Sequence, residues 1–417
     1  MQGAKYLNTV LIMEKKTNVP KLRFPEFEGE WVEKKLGEIA EINPKSGSLP
    51  NSFIYIDLES VVDGQLLKEE RIELVNAPSR AQRLLSEGDI LFQMVRPYQK
   101  NNLYFDYNGE YVASTGYAQI RTNNNPQYIY QYIHFQQFTD KVIERCTGTS
   151  YPAINSTDLS NIRIAIPILP EQTKIASFLT AADDKLTQLK KKKSLLEEYK
   201  KGVMQKIFSQ ELRFKDDNGE DFPEWEEKSL GGIGETFNGL SGKTKEDFGL
   251  GKPYIQYKQI FDDSKIDISR FGFVDIGDNE NQNRVQFGDV FFTISSETPN
   301  EIGTASVLLD KVDDLYLNSF CFGYRASSLE ILNPYFSRYL FRNELFRNEI
   351  VKLAQGSTRY NMSKTQLLRI CVSIPSLPEQ TKIANFLSAI DEKINHCSKQ
   401  IERMEEWKKG LLQQMFC

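Results

Sequence analysis

The chain contains an internal repeat whose unit is about half the chain long. The segment IPILPEQTKIASFL at 166–179 returns as IPSLPEQTKIANFL at 374–387, 208 residues further along. The same offset holds to the end of the chain, where KKGVMQKIF at 200–208 corresponds to KKGLLQQMF at 408–416. A unit of this length exceeds the roughly 20–50 residues of solenoid and propeller repeats. The sequence therefore predicts a duplicated domain, with one copy in each half.

In the upstream parts of the two halves, shared landmarks alternate with segments that differ. The landmarks include LRF at 22–24 and 212–214, and GDILF at 88–92 against GDVFF at 288–292. Directly after the second landmark, QMVRPY at 93–98 stands where TISSET stands at 293–298. We therefore expect the two copies to share one frame and to present different side chains on it.

Strand-like and helix-like patterns precede a long helix in each copy. β-branched and aromatic residues bounded by Gly, Asn and Pro predict strands at 52–58, 89–95 and 111–121, and at 252–260, 289–295, 304–309 and 315–325. Apolar spacing predicts a helix at 334–355, with a counterpart at 126–146. The expected fold class is α/β, more specifically α+β with a largely β core. The predicted segments are a poorly ordered extension at 1–18, mixed domains at 19–165 and 211–373, and long helices at 166–210 and 374–417.

The repeated segment opens the long helix. Pro170 suits a first helical turn, and Glu171 complements the positive end of the helix dipole. Lys193, Lys200 and Lys408 interrupt an apolar series whose 3.5-residue period is typical of coiled coils. We expect the helices to pair lengthwise as a rigid spacer of about 58 Å, at about 1.5 Å per residue; two separate helices, each docked on its own domain, are the alternative. The heptad residues are Ile175, Leu179, Leu186, Leu189 and Leu196, and Ile383, Leu387, Ile390, Ile394 and Ile401.

The overall charge restricts the kind of partner. A formal net charge of -5 argues against a protein that coats nucleic acid without sequence preference. A protein that recognises a specific nucleic-acid sequence needs only a local basic face. The stretch 338–369 carries seven Lys or Arg against two Glu. No uncharged apolar stretch reaches the roughly 18 residues of a membrane-spanning helix. We expect a globular cytoplasmic protein whose scattered cysteines are reduced.

Three segments approach catalytic or ligand-binding motifs, and each lacks an essential residue. NPYF at 333–336 is similar to an amino-methyltransferase motif without its second proline, and it suits a helix start better. GKT at 242–244 ends like a P-loop, but Phe237 replaces the first glycine. DDNGED at 216–221 ends in Asp221, where a calcium loop requires glycine. With two histidines and no cysteine pair at metal-ligand spacing, we expect neither catalysis, a metal nor a cofactor in this chain.

The segment LPEQTKIA, which twice opens a long helix behind a divergent domain, resembles the specificity subunit of type I restriction–modification systems. VPKLRFPEF at 19–27 is also similar to the start of such subunits, and the resemblance extends over nearly the whole chain. It implies target recognition domains at 19–165 and 211–373 that each read one half of a bipartite DNA site. It also implies that the two helices pair as an antiparallel coiled coil and set the gap between the half-sites.

The same resemblance implies partners. Two methylation subunits with adenine-N6 methyltransferase activity would dock on the helices, and restriction subunits could join them. S-adenosylmethionine, ATP and Mg are then expected on those subunits, and this chain would be non-catalytic. A duplicated coiled-coil scaffold that binds protein rather than DNA is the alternative. A self-contained DNA enzyme is a weaker one, because the catalytic motifs are incomplete.

Two segments in each copy are candidates for DNA contacts, because their hydroxyl, amide, Lys and Arg side chains suit phosphates and base edges. For the loop before the long helix, a plain turn that leads to a strand is the alternative. That loop supplies Thr149, Ser150, Tyr151 and Asn155 in the first copy, and Ser357, Thr358, Arg359, Tyr360, Asn361 and Lys364 in the second. The mid-domain segment supplies Arg96, Tyr98 and Lys100 in the first copy, and Lys243, Lys245, Tyr257 and Lys258 in the second.

Overall fold

A computed structural model of the chain describes residues 18–356 and 359–417, which divide into two units. The first unit contains the described residues up to Lys190 together with Lys399–Cys417, and the second is Lys191–Ser398. The extension predicted at 1–18 lies outside the described residues, except for Asn18. Both unit boundaries fall inside the long helices, so each unit contains a segment of each helix. The predicted segments differ from this division, because they kept each helix whole.

The first unit contains two four-stranded sheets. One has the strands Glu70–Glu73, Ser52–Ile56, Tyr111–Ser114 and Ala81–Leu84 in that order, with the middle pair parallel. The other is antiparallel, in the order Ala40–Ile42, Tyr117–Thr122, Ile90–Gln93 and Leu103–Tyr104. Val32–Lys35 pairs with Arg163–Ile166, and Val61–Val62 with Gln65–Leu66. The short helices are Leu36–Ile39, Pro126–Ile133, Gln136–Ile143 and Ser156–Ser160, with 3-10 turns at Leu74–Asn76 and Pro97–Gln99.

The second unit repeats part of this arrangement. Its four-stranded antiparallel sheet has the order Gly234–Asn238, Cys321–Ala326, Val290–Thr293 and Ala305–Val307. A three-stranded sheet has the order Gly272–Val274, Phe248–Ile255 and Tyr316–Leu317. Glu226–Ser229 pairs with Cys371–Ile374, and Ser295–Ser296 with Tyr360–Asn361. The short helices are Leu230–Ile233, Tyr257–Asp262, Pro334–Leu340, Glu344–Lys352 and Lys364–Leu367, with a 3-10 turn at Lys245–Asp247.

The Gly-Asp landmark of each copy leads into an equivalent strand, and its buried carboxylate pairs with an arginine. Asp89 is 1% exposed, and both of its carboxylate oxygens accept hydrogen bonds from Arg121 at 2.7 Å. Asp289, also 1% exposed, accepts the same two bonds from Arg325 at 2.7 Å. Bidentate arginine–carboxylate pairs fix geometry as well as charge. The shared sequence landmarks therefore correspond to a shared structural frame.

The helices predicted at 126–146 and 334–355 are each broken into two shorter helices, which corrects the prediction. In the second unit, Asn343 has an extended backbone, and its side chain accepts a hydrogen bond from the Phe346 amide at 3.0 Å. This is an N-cap, which begins a new helix. In the first unit, the break lies at Phe135, which is extended and packs into the core at 2% exposure.

The strand predicted at 252–260 is also only partly correct. The strand Phe248–Ile255 starts earlier and stops sooner, and the helix Tyr257–Asp262 follows it. Ile255 and Ile260 both lie in one apolar cluster and are fully buried. A short buried run of this kind does not distinguish strand from helix by its periodicity.

The long helices extend from Leu169 to Phe208 and from Leu377 to Met415. In the first unit, the start of the first helix shares an apolar core with the end of the second, and in the second unit the ends exchange roles. Both helices therefore contribute to both cores. Of the predicted heptad residues, the buried ones are Ile175, Leu179, Leu189, Ile383, Leu387 and Ile390, and the partly exposed ones are Leu186, Leu196, Ile394 and Ile401.

Lys200 and Lys408, two of the three lysines that interrupt the heptads, form ion pairs in equivalent places. In the first unit, Lys408 binds Asp183, which also accepts a hydrogen bond from Gln131 at 2.7 Å. In the second unit, Lys200 binds Asp391 at 2.5 Å, and Tyr339 donates to the same carboxylate at 2.7 Å. The interruptions are therefore sites of polar pairing within the packed helices.

Candidate nucleic-acid interface

In the first unit, the fold brings the two candidate segments into contact. The chain leaving the strand Ile90–Gln93 lies beside the loop before the long helix, where Ile154 donates a backbone hydrogen bond to Met94 at 3.1 Å. Two residues on, the Arg96 amide donates to the Pro152 carbonyl at 2.7 Å. This pairing places the Arg96 guanidinium 4.2 Å from the ring centroid of Tyr151. A stacked Arg–Tyr pair from two distant candidate segments therefore lies at the surface.

The backbone around this pair adopts conformations that are rare for residues with a side chain. Arg96 and Lys100 have φ angles of 53° and 55°, and they flank the turn Pro97–Gln99. Left-handed non-glycine residues persist where surrounding contacts hold them, and they are enriched at functional sites. Tyr98 is 52% and Tyr151 is 64% exposed. Two exposed aromatic side chains therefore flank the half-buried Arg96.

The remaining candidate residues of the first unit differ in whether other groups of the protein already bind their side chains. Thr149 and Ser150 are exposed. Lys100 is held by the carbonyl of His134 at 3.0 Å and the side chain of Gln136 at 3.2 Å, and burial lowers the pKa of its ammonium. The side chain of Asn155 caps the helix Ser156–Ser160. Of these four, only the two hydroxyl residues lie in the open part of the loop.

In the second unit, equivalent segments meet with different side chains. Met362 donates its amide to the Ile294 carbonyl at 3.0 Å, and the strands Ser295–Ser296 and Tyr360–Asn361 pair next to it. The hydroxyl of Tyr257 donates to the Ser295 carbonyl at 2.9 Å. A cavity of about 400 Å³ results, lined by Tyr257, Phe261, Ser295, Ser296, Glu297, Glu301 and Arg359.

The lysine candidates of the second unit lie outside this cavity. Lys243 is 6% exposed and pairs with Glu280 at 2.5 Å, and this contact lowers the pKa of the Glu280 carboxyl to about 2. Lys245 is exposed in its 3-10 turn, whereas Lys258 pairs with Asp262 at 2.8 Å. Lys364 lies 5.9 Å from the Phe322 ring centroid. Ser357 and Thr358 lie outside the described residues, whereas Tyr360 and Asn361 form the short edge strand.

The basic stretch at 338–369 is not an open cationic face. Arg342 donates to the carbonyls of Ala305 and Asp263 at 2.6 and 2.7 Å, and burial lowers the pKa of its guanidinium to about 10. Arg347 donates to the Ile302 carbonyl at 2.7 Å. A count of charges along the sequence overstates the basic surface, because these guanidinium groups satisfy backbone carbonyls inside the unit.

Sequence reasoning missed a polar cleft of about 930 Å³ in the first unit, which is lined in part by His134, Lys100, Asp183 and Lys408. His134 contacts the Tyr130 carbonyl at 2.7 Å. Burial, followed by the nearby Lys408 ammonium, lowers the pKa of His134 to about 4. The interruption of the heptads by lysine was the sequence signal that could have identified this cleft.

We predict that His134 makes the first unit sensitive to acid. Its folded pKa lies below the usual 6.5, so the unfolded state binds more protons between the two values, and stability is lost as the pH falls through this window. The free energy of unfolding should drop by about 2 kcal/mol from about pH 7.5 to about pH 5 because of this residue. His134→Gln should remove that part of the drop in urea titrations at both pH values. Equal losses in both proteins would contradict the assignment.

Two absences concern the described residues only. No helix among them is both long and apolar enough to cross a membrane. In the same ranges, no cluster of three or more His, Cys, Asp or Glu side chains is arranged to bind a metal ion.

Comparisons with known proteins place these features in a family. Residues 28–198 and 223–406 match the family model described as the type I restriction modification DNA specificity domain. A putative type I restriction enzyme MjaX specificity subunit of Methanocaldococcus jannaschii is 25% identical over 426 residues, covering 95% of each chain. The MjaVIII specificity subunit of the same organism is 26% identical over 282 residues, and the match spans 64% of each chain, just under two thirds of that relative.

Solved structures share the fold. The type I restriction–modification S subunit from M. genitalium has a TM-score of 0.58 at 14% identity, covering 96% of this chain and 99% of that one. A chain solved in work on complex assembly and conformational transition of the type I restriction–modification system has a TM-score of 0.56 at 22% identity, covering 92% and 96%. Since the family model matches most of the sequence in two blocks, the chain belongs to the type I restriction–modification specificity subunits.

Proposed function

We propose that this chain reads a bipartite DNA site, with each unit recognising one half. The observation that carries the proposal is that the segment after the strand Ile90–Gln93 or Val290–Thr293 meets the loop before the long helix at equivalent backbone positions in both units, with different side chains. Arg96 and Tyr151 occupy the positions of Ser296 and Arg359. Two readers on one frame with different surfaces suit two different half-sites, because base edges are distinguished by the side chains that contact them.

We further propose that the long helices pair as an antiparallel coiled coil that sets the gap between the half-sites. In the first unit, Phe178 lies 6.0 Å from the Trp407 ring, and Lys190 pairs with Glu405 at 2.9 Å. In the second unit, Lys200 pairs with Asp391. These contacts support an antiparallel arrangement. As the residue number in the first helix rises from 178 to 200, the residue number of the partner in the second helix falls from 407 to 391. Heptad packing of this kind gives a stiff spacer.

The proposed partners follow from the family. Two methylation subunits would dock on the helices and carry adenine-N6 methyltransferase activity with S-adenosylmethionine, and restriction subunits with ATP and Mg could complete the complex. This chain would supply recognition, spacing and docking without chemistry of its own. Because the proposed target is DNA, the complex must lie in the same compartment as the chromosome. We therefore expect the complex in the cytoplasm.

The test is co-expression with the cognate methylation subunit in a host that lacks adenine methylation, followed by genome-wide mapping of N6-methyladenine. The expected result is one split motif with a fixed gap and one methylated adenine on each strand. A purified, assembled complex that methylates no motif would contradict the reading function. That outcome would favour the alternative of a duplicated coiled-coil scaffold that binds protein rather than DNA.

A further inference from the structure

The guanidinium of Arg96 is held in place without being neutralised. It stacks 4.2 Å from the ring centroid of Tyr151, which is itself 64% exposed. Its Nε is buried without a hydrogen-bond partner, and no side-chain hydrogen bond or ion pair of Arg96 is present among the residues that the structure describes. Arg121 and Arg325, in contrast, donate hydrogen bonds to the buried carboxylates of Asp89 and Asp289. The Arg96 side chain therefore has donors left for a ligand.

The backbone fixes where this guanidinium points. The amide of Arg96 is bound to Pro152, the φ angle of Arg96 is 53°, and Pro97 follows it directly. On the other side, Gly148 has a φ of +90°, and a Cβ there would lie 3.1 Å from the Tyr151 carbonyl. Both members of the stacked pair are thus held by constrained backbone. Preorganised side chains lose less entropy when they bind, which favours recognition.

The second unit shows that the pair is not required by the frame. At the position of Arg96 it has Ser296, whose hydroxyl donates to Glu301 at 2.9 Å, and at the position of Tyr151 it has Arg359. The buried Asp–Arg pair of the strand start, in contrast, is present in both units. A residue needed for the shared frame would be shared, whereas a residue that reads one half-site has no reason to be.

We infer that Arg96 reads a guanine in the half-site of the first unit and that Tyr151 positions its guanidinium. This inference rests on the proposed function. A planar guanidinium donates two parallel hydrogen bonds to guanine O6 and N7 in the major groove, the commonest specific contact of this side chain. Loss of such a contact is expected to reduce discrimination at that base by about 10- to 100-fold.

The experiment maps N6-methyladenine made by the co-expressed complex with wild type, Arg96→Ala and Arg96→Gln. With alanine, one guanine of one half-site should become degenerate, while the other half-site and the gap stay unchanged. With glutamine, the same position should shift towards adenine, because an amide pairs with adenine N6 and N7. Tyr151→Phe, which keeps the ring, should retain the wild-type motif, whereas Tyr151→Ala should relax the same position.

Arg71→Ala is the matched control, because this arginine is 53% exposed in the same unit and lies near Glu110 at 4.0 Å. It should leave the motif unchanged. Arg96→Ala would overturn the inference if methylation fell equally at all sites with the motif intact, which indicates a phosphate contact, or if nothing changed. In both outcomes the wild-type complex still methylates a split motif. They are therefore distinct from failure of the proposed function, in which the wild-type complex methylates no motif. Recovery of each variant as an assembled complex shows that it has folded.

Discussion

Replacing Phe416 by alanine is expected to destabilise the first unit by about 3–5 kcal/mol, although Phe416 is the penultimate residue of this chain. Its ring is 3% exposed and lies within 5.1 to 6.4 Å of the Trp31, Tyr128, Tyr132 and Phe135 rings. Truncation would leave a cavity at the centre of this aromatic cluster, and the cost combines lost burial with that cavity.

The measurement is urea unfolding with hydrogen–deuterium exchange of peptides from each unit, because a chain of two units has no single unfolding equilibrium. Peptides covering Ile90–Gln93 should lose protection at lower urea in the variant. Phe320→Ala is the control, because it removes the same type of side chain at a site where the ring is 60% exposed. Surface truncations usually change stability by about 0.5 kcal/mol or less. Equal, small effects of the two substitutions would show that Phe416 is not part of the core.

Replacing Arg213 by alanine is expected to destabilise the second unit by about 3–5 kcal/mol, the usual cost of leaving a buried charge without its partner. Glu379, in the first turn of the second long helix, has a fully buried side chain. Arg213 donates to both of its carboxylate oxygens at 3.3 and 3.0 Å, and also to the Pro223 carbonyl at 2.6 Å. Its removal leaves an uncompensated carboxylate and also removes the hydrogen bonds that Arg213 donates to the Phe222 and Pro223 carbonyls.

A second substitution in the same protein tests whether the unpaired charge causes the loss of stability. Glu379→Gln in the Arg213→Ala background should recover part of the lost stability, because a neutral amide costs less to bury than a carboxylate. Arg284→Ala removes a guanidinium that is 66% exposed and pairs with Asp314 at 3.2 Å, and it should cost no more than about 1 kcal/mol. Urea unfolding of the three variants, followed by hydrogen–deuterium exchange of peptides from the second unit, compares these values. If the double variant is no more stable than Arg213→Ala, the unpaired charge is not the cause.

Some candidate residues could be identified from the sequence, because side chains that can contact DNA occur at positions that the repeat singles out. Residue type selected Arg96 and Tyr257 in the mid-domain segments and Tyr151 and Arg359 in the loop before the long helix. The fold brings Arg96 to Tyr151 in the first unit and Tyr257 to the same cavity as Arg359 in the second. The sequence could not show that they meet, since each pair joins segments more than fifty residues apart, and only the shared sheet and its neighbouring loop bring them to one place.

Two cationic side chains are less open than their sequence context suggests, for a common reason. The candidate Lys243 and Arg342 of the basic stretch at 338–369 have the charge that suits a phosphate, but their side chains turn inward to Glu280 and to backbone carbonyls. Which way a long side chain turns depends on unsatisfied groups that other elements bring close. The breaks at Phe135 and Asn343 are of the same kind, because a local cap and core packing end helices whose apolar period continues.

The sequence by itself determined the duplication, the family and the two long helices, because repeats and heptads are one-dimensional patterns that need no knowledge of contacts. The tertiary structure alone decided how each unit uses them. The C-terminal Phe416 completes the aromatic core of the first unit, as Phe208 does in the second, and Lys408 and Lys200 find carboxylates on the opposite long helix. Burial and pairing between residues distant in the chain arise only when folding brings apolar surface and charge together.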